Sequence, residues 1–226
     1  MIETTGEIKR QGFFDLIYGI LFNPATTFRN IAETPPFGQA AAVFFLLAFG
    51  NGVVGLFVFR STLMDAPGID TTALVPVLTG LSGFLLFFTL AFAGLRWLLY
   101  GSLLHLLAEL WGGSGTPKGT LTVYALASLP GVFLVPLQLI LTLLRVSEIA
   151  SALLSGTAGL VILVWGMVLL IVGIREVHRF SSGAAILTVL TPVAVILVFI
   201  GIFIAAIFVF VGALIPLLPS TMLPEG

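Results

Sequence analysis

Apolar positions dominate this chain, and they come in runs broken by short polar interruptions. The first run is FFDLIYGILF, residues 13 to 22. Its ten residues reach only about 15 Å as a helix, half of the roughly 30 Å of hydrocarbon that a span must cross. With Asp15 as its single charge, the run predicts a short amphipathic helix lying on a membrane surface, Asp15 turned to water. Asn23 and Pro24 then read as the N-cap and first helical position of a second short helix, PATTFRNIAE, which Pro35 and Pro36 end.

Longer runs follow. The first predicted span is Phe37 to Phe59, closed by Arg60, and the polar loop RSTLMDAPGIDTT comes next. Residues 74 to 111 form one apolar block of 38. That is about 57 Å of helix, too long for a single perpendicular crossing. Pro76, Thr79, Gly80 and Gly83 weaken its first third, so span two is expected over about 83–107. Spans three, four and five are expected over about 120–144, 154–174 and 185–216, the last tilted or bent at Pro192. The predicted fold is therefore all-α and integral to a membrane. An interfacial segment (1–36) precedes a five-span domain (37–217) and a short outside tail (218–226).

Composition strengthens this reading. Hydrophobic residues make up 59% of the chain and charged ones 8%, and mean hydropathy is +1.21. A net charge of −1 points to no nucleic acid or acidic partner, and the lack of Cys excludes disulfides and thiolate metal sites. Lys9 and Arg10 precede the first apolar run, but Asp15 interrupts it and no small-residue cleavage site follows closely, so a cleaved signal peptide is not expected. With the N-terminus inside, Lys9, Arg10, Arg29, Lys118, Arg175 and Arg179 fall on the cytoplasmic side and only Arg60 and Arg145 outside. That asymmetry predicts an inside N-terminus and, after five spans, an outside C-terminus.

Ionisable residues in so apolar a chain need an account. His105 and Glu109 lie four apart, on one face of span two, and Glu176 and His178 close span four on the same side. With Arg175 and Arg179 they form a candidate polar cluster, in which the arginines offer Glu109 an opposite charge. Three readings stand: groups solvated at the interface, a structural polar network, or metal or proton chemistry. The reading carried forward is a cluster that fixes helix register or docks a cytoplasmic partner. The following loop, GGSGTPKGT, is no phosphate cradle, because Pro117 precedes Lys118 and Gly119 follows it. Its glycines suit a helix end and a tight reversal.

Arg96 is costlier. If span two starts near Gly83, it lies close to mid-membrane, at roughly 2.5–3.5 kcal/mol on insertion scales. Tyr124, Ser128 and Gln138 of span three are its candidate partners in an intramembrane polar site. If instead the helix starts near Leu74, Arg96 with Trp97 and Tyr100 marks an interface. Gly159, Gly166 and Gly173 recur every seven residues in span four and predict a packing stripe. Pro130, Pro136 and Pro192 break backbone hydrogen bonding within spans three and five. No GxSxG, HExxH or paired catalytic acid occurs, so neither an enzyme nor a cofactor is expected.

The order of these parts resembles the Yip1 domain of five-span membrane proteins, in its shorter prokaryotic branch. The pieces that carry the likeness are ILFNPATTF before span one, LLHLLAELWGGSG ending span two, YALASLP early in span three, and WGMVLLIVGIREVHRFSSGAA linking spans four and five. They cover about residues 12 to 210. The resemblance implies five spans with the N-terminus inside, and a location in a prokaryotic cytoplasmic membrane. Eukaryotic members are scaffolds that bind Rab GTPases through a long cytoplasmic region and an Asp-Leu-Tyr-Gly-Pro motif. Here Asp15-Leu16-Ile17-Tyr18-Gly19 is only a broken echo of that motif, so GTPase binding is not carried over. The expected function is a non-enzymatic scaffold or partner-binding protein. Its surroundings are the lipid bilayer and a second copy or another membrane protein. The alternative is a carrier or scramblase for lipid or small solutes.

Overall fold

The computed structural model describes residues 12–64 and 71–214. Lys9, Arg10 and the expected tail 218–226 lie outside the described residues. Two short helices, α1 (Phe13–Phe22) and α2 (Pro24–Glu33), lead through Pro35 and Pro36 into α3 (Phe37–Met64). Then come α4 (Thr71–Leu110), α5 (Pro117–Ala127), a 3-10 turn (Leu129–Phe133), α6 (Leu134–Leu143), α7 (Glu148–His178) and α8 (Ser182–Leu214). Counting α5 through α6 as one interrupted span, five helices among the described residues are long and apolar enough to cross a membrane.

Span three is the centre of the bundle, with α5 packed against α3, α4 and α7, and α6 against α3 and α7. The sequence SLPG explains its break. Pro130 has no N–H to return to the preceding turn, so α5 ends at Ala127 and the chain tightens before α6 resumes at Leu134. Pro76 and Pro192, by contrast, lie inside unbroken helices.

Three features differ from the sequence expectations. First, α4 is continuous from Thr71 rather than starting near Gly83. In hydrocarbon every backbone group needs an internal partner, so helix persists through residues that would weaken it in water. Thr79 and Ser82 also turn their hydroxyls back onto the carbonyls of Val75 and Thr79. Second, α1 and α2, expected as short interfacial helices, also dock on the bundle. Leu16, Ile20, Phe28 and Ile31 are fully buried, α1 packs against α2, α5 and the 3-10 turn, and α2 docks along α7. Asp15 is exposed, and Phe14, Tyr18 and Phe22 form the outward face of α1. Third, Asn23 stands at the start of α2 but its side chain caps nothing. Its carbonyl instead accepts from the hydroxyls of Thr26 and Thr27.

Trp97 anchors α4 to its neighbours. Its ring stacks on Phe37 and Phe44, with centroids 5.3 and 5.5 Å away, and its indole N–H donates to the Leu121 carbonyl at 2.9 Å. Such contacts matter because lipid tails are as apolar as the side chains. Close packing and interhelical hydrogen bonds, rather than escape from water, hold these helices together.

Candidate functional site

The end of α4 shows why glycines follow Glu109. Gly112 adopts a left-handed conformation (φ 85°) and its N–H reaches the Glu109 carbonyl at 2.9 Å, while Gly113 N–H reaches that of Ala108 at 2.8 Å. This paired closure is the usual way a helix satisfies its last carbonyls. The loop then lies against the end of α7. Ser114 N–H donates to the His178 carbonyl at 3.1 Å, and Gly115 N–H to His178 Nδ1 at 3.2 Å. A Cβ on Gly113 would stand 2.7 Å from that same Nδ1, and one on Gly115 2.8 Å. Only glycine lets the backbone approach the imidazole this closely. Thr116 next caps α5 by accepting from Gly119 N–H at 3.1 Å, with Pro117 as the first helical residue.

That cap places Thr120 between the two histidines. Its Oγ1 lies 2.8 Å from His178 Nε2, 3.4 Å from His105 Nδ1 and 3.2 Å from the Thr116 carbonyl. A backbone N–H can only donate, so His178 Nδ1 carries the lone pair and Nε2 the proton. His178 therefore donates to Thr120. The Thr120 proton is left to turn toward the Thr116 carbonyl or His105 Nδ1. His105 Nε2 completes the chain, 3.3 Å from Glu109 Oε1. His178 and Thr120 are sealed from solvent at 1% and 0% exposure, and the Glu109 side chain is 54% exposed. The result is a row of polar contacts, hydrogen bonds at Gly115, His178 and Thr120 and an ion-pair contact at His105 and Glu109, leading from the buried end of α7 outward across α5 to the surface of α4.

The other charges form a separate group. Glu176 accepts from Arg175 on its own helix and from Arg29 Nε at 3.4 Å, while Arg175 also reaches Ser182 Oγ at 3.4 Å. Arg29 thus ties α2 to α7, beside Phe28. The expected pairing of Glu109 with Arg175 or Arg179 is corrected here, because Glu109 pairs with His105 on its own helix and the neighbouring Glu176 takes Arg175. Arg179, left-handed at φ 54°, ends α7 and joins neither group by a hydrogen bond or ion pair among the described residues. Nor do three or more His, Asp or Glu gather there to hold a metal.

The four residues of the expected intramembrane site do not assemble. Tyr124 packs on Tyr100 (5.1 Å) and Phe44 (6.3 Å). Ser128 turns its hydroxyl to the Ala125 carbonyl, and Gln138 lies toward the opposite end of the bundle with Thr62 and Ser155. Arg96 is exposed on α4 beside the buried Trp97. Gly94 meets Phe45, so Arg96 lies about level with the second turn of α3, inside the span but in its polar-end half.

The glycine stripe of α7 is graded rather than uniform. A Cβ on Gly173 would collide with Val123 and stand 3.0 Å from Phe28, and one on Gly166 would stand 3.1 Å from the Ala127 carbonyl. A Cβ on Gly159 would meet nothing within 4 Å. Thr120 was not singled out from sequence as a site residue, and Trp97 and Arg29 were read only as an interface marker and a topological charge. The Thr-Pro pair at 116–117 is a helix-start signal that could have put Thr120 on the first turn of α5.

All elements among the described residues are helical, five of them span-length and apolar, and this defines a multi-span integral membrane protein. The chain matches the Yip1 domain model over residues 18–203 and belongs to that family. It finds no match among curated proteins and none among solved structures. The matched region includes the docked α2, the histidine row and the first two-thirds of α8.

Proposed function

We propose that this Yip1-family protein is a non-enzymatic scaffold of a prokaryotic cytoplasmic membrane that binds a protein partner at its polar end. One observation carries the reading. Between the histidine row and the polar residues of the opposite end lies a buried apolar layer that includes Phe44, Ala93, Val123, Leu126, Leu129 and Leu169. A carrier or scramblase needs a polar path through that depth; a scaffold does not. Supporting it, Arg29, Lys118 and Arg175 lie at the end of the bundle that holds the histidine row, whereas Arg60 lies near the end of α3 and Arg145 between α6 and α7, at the other. This favours an inward-facing polar end.

The chain has no Cys, so single-Cys variants can be labelled without background. Water-soluble maleimide in intact vesicles is expected to modify Lys118→Cys and Ser151→Cys from opposite sides and to leave Leu126→Cys and Leu169→Cys untouched. Labelling of Leu126→Cys or Leu169→Cys would overturn the scaffold in favour of a carrier. A reporter fused after Gly226 is expected to be active only outside the cytoplasm, and activity inside would reverse the orientation.

A further inference from the structure

The far end of the bundle holds a feature that the scaffold reading does not use. A cleft of about 430 Å³ opens between α3, α6 and α7, lined by Gly55, Val58, Phe59 and Thr62 on one wall and Gln138, Thr142, Ser151 and Ser155 on the other. Its volume falls within the range of small-molecule sites. Gly55 is exposed and a Cβ on it would meet nothing within 4 Å, so a larger side chain there has room to enter the cleft. Val58 and Phe59 make the α3 wall largely apolar, whereas α6 and α7 present an amide and three hydroxyls.

Those polar groups are poorly committed. Thr142 donates to the Gln138 carbonyl one turn back. The side chains of Thr62, Gln138, Ser151 and Ser155 have no hydrogen-bond partner among the described residues. Near hydrocarbon such groups call for partners, and no charged side chain lines the cleft. Depth narrows the choice further. Ser151 and Ser155 lie in the first two turns of α7 and Gln138 and Thr142 in the last two of α6. With α3, α6 and α7 crossing a bilayer, helix ends at this position would fall where a leaflet passes from acyl chain to headgroup. A mostly apolar cleft with an amide and hydroxyls along one wall matches, at that level, an amphiphile.

We propose that the cleft binds the uncharged, hydroxyl-bearing headgroup of a lipid from the far leaflet, with the amide and hydroxyls of α6 and α7 on the headgroup and the α3 wall along the acyl chain. The shared chemistry, an uncharged polyhydroxyl group, also exists in free sugars, so the test separates the two sources. The purified full chain in detergent is titrated with monoglucosyl diacylglycerol, dioleoyl phosphatidylglycerol and free glucose, and binding is read by native mass spectrometry and by the shift in melting temperature. The neutral glycolipid is expected to bind and to raise the melting temperature, and the other two to do neither. Gln138→Leu and Ser155→Val are each expected to weaken glycolipid binding about tenfold, the scale of one lost hydrogen bond at the strong end. Gly55→Leu is expected to abolish it by entering the cleft. This variant is expected to keep the unliganded melting temperature, because a Cβ there meets nothing within 4 Å. Equal binding by wild type and all three variants overturns the proposal. So does preference for phosphatidylglycerol, and so does binding of free glucose without the lipid.

Discussion

Thr120 and Ser155 are both hydroxyl residues on bundle helices, yet their surroundings have little in common. Thr120 is sealed from solvent and lies within reach of two imidazoles and a carbonyl. Ser155 lines an open cleft and has no side-chain partner among the described residues. At the polar end, Thr120 and the two histidines are buried and bonded, so they hold α4, α5 and α7 in one arrangement. At the far end the polar groups of the cleft are accessible and unsaturated, so they are free to meet something else. Polarity in a membrane chain therefore means little until satisfaction is known. The histidines, which looked most like chemistry in the sequence, belong to the saturated group.

The contrast is sharpest for changes that press on the packed end. Gly173→Leu puts a side chain into Val123 and Phe28, and should cost about 3 kcal/mol, the upper part of the overpacking range. Detergent melting measures it, and an unchanged melting temperature would mean that α2 and α5 do not close on α7. Thr120→Val keeps the shape but leaves His178 Nε2–H without an acceptor. A loss of about 1–3 kcal/mol is expected, and Thr120→Ser should restore most of it. If the valine variant melts like wild type, the hydrogen-bonded row is not what holds this end.

Smaller effects test the edges of the comparison. The Arg29 side chain is 70% exposed, so Arg29→Ala should cost only about 0–1 kcal/mol, and the difference should shrink as salt is raised. A large, salt-independent loss would show that the arginine packs rather than pairs. Gly159→Leu should change melting least of all, since a Cβ there meets nothing. If it destabilises as Gly173→Leu does, a second copy covers that part of α7 and the graded stripe is an interface after all.

Much of this architecture was legible in the sequence, and the reasons differ by element. Long apolar runs announce spans because water-free surroundings force helix, and of the three prolines expected to interrupt helix only Pro130 lies at a break, while Pro136 and Pro192 lie within α6 and α8. The same rule hid the start of α4, where Thr79, Gly80 and Gly83 looked like weak helix formers although membrane helices tolerate them. The histidines could be named but not connected. Spacing along one helix shows that His105 and Glu109 share a face, and so favours their pairing with each other. It says nothing about Thr120, which reaches them only through the reversal at Gly112–Thr116. Arg29 was counted as a topological charge, and its link to Glu176 depends on the docking of α2, which no local pattern encodes.

Beyond Pro192, every residue of α8 from 193 to 212 is exposed, and this bears on the order in which the molecule comes together. The histidine row draws only on α4, α5 and α7, all of which are synthesised before α8. α8 is the most apolar of the candidate spans, so its partition into lipid needs no help from neighbours. It meets the finished body through its first turns, where Ala185, Thr188 and Val189 are buried. Insertion and docking are thus separate events for this helix. α8 packs on α4 and α7 through its first turns, and its outer half stands exposed.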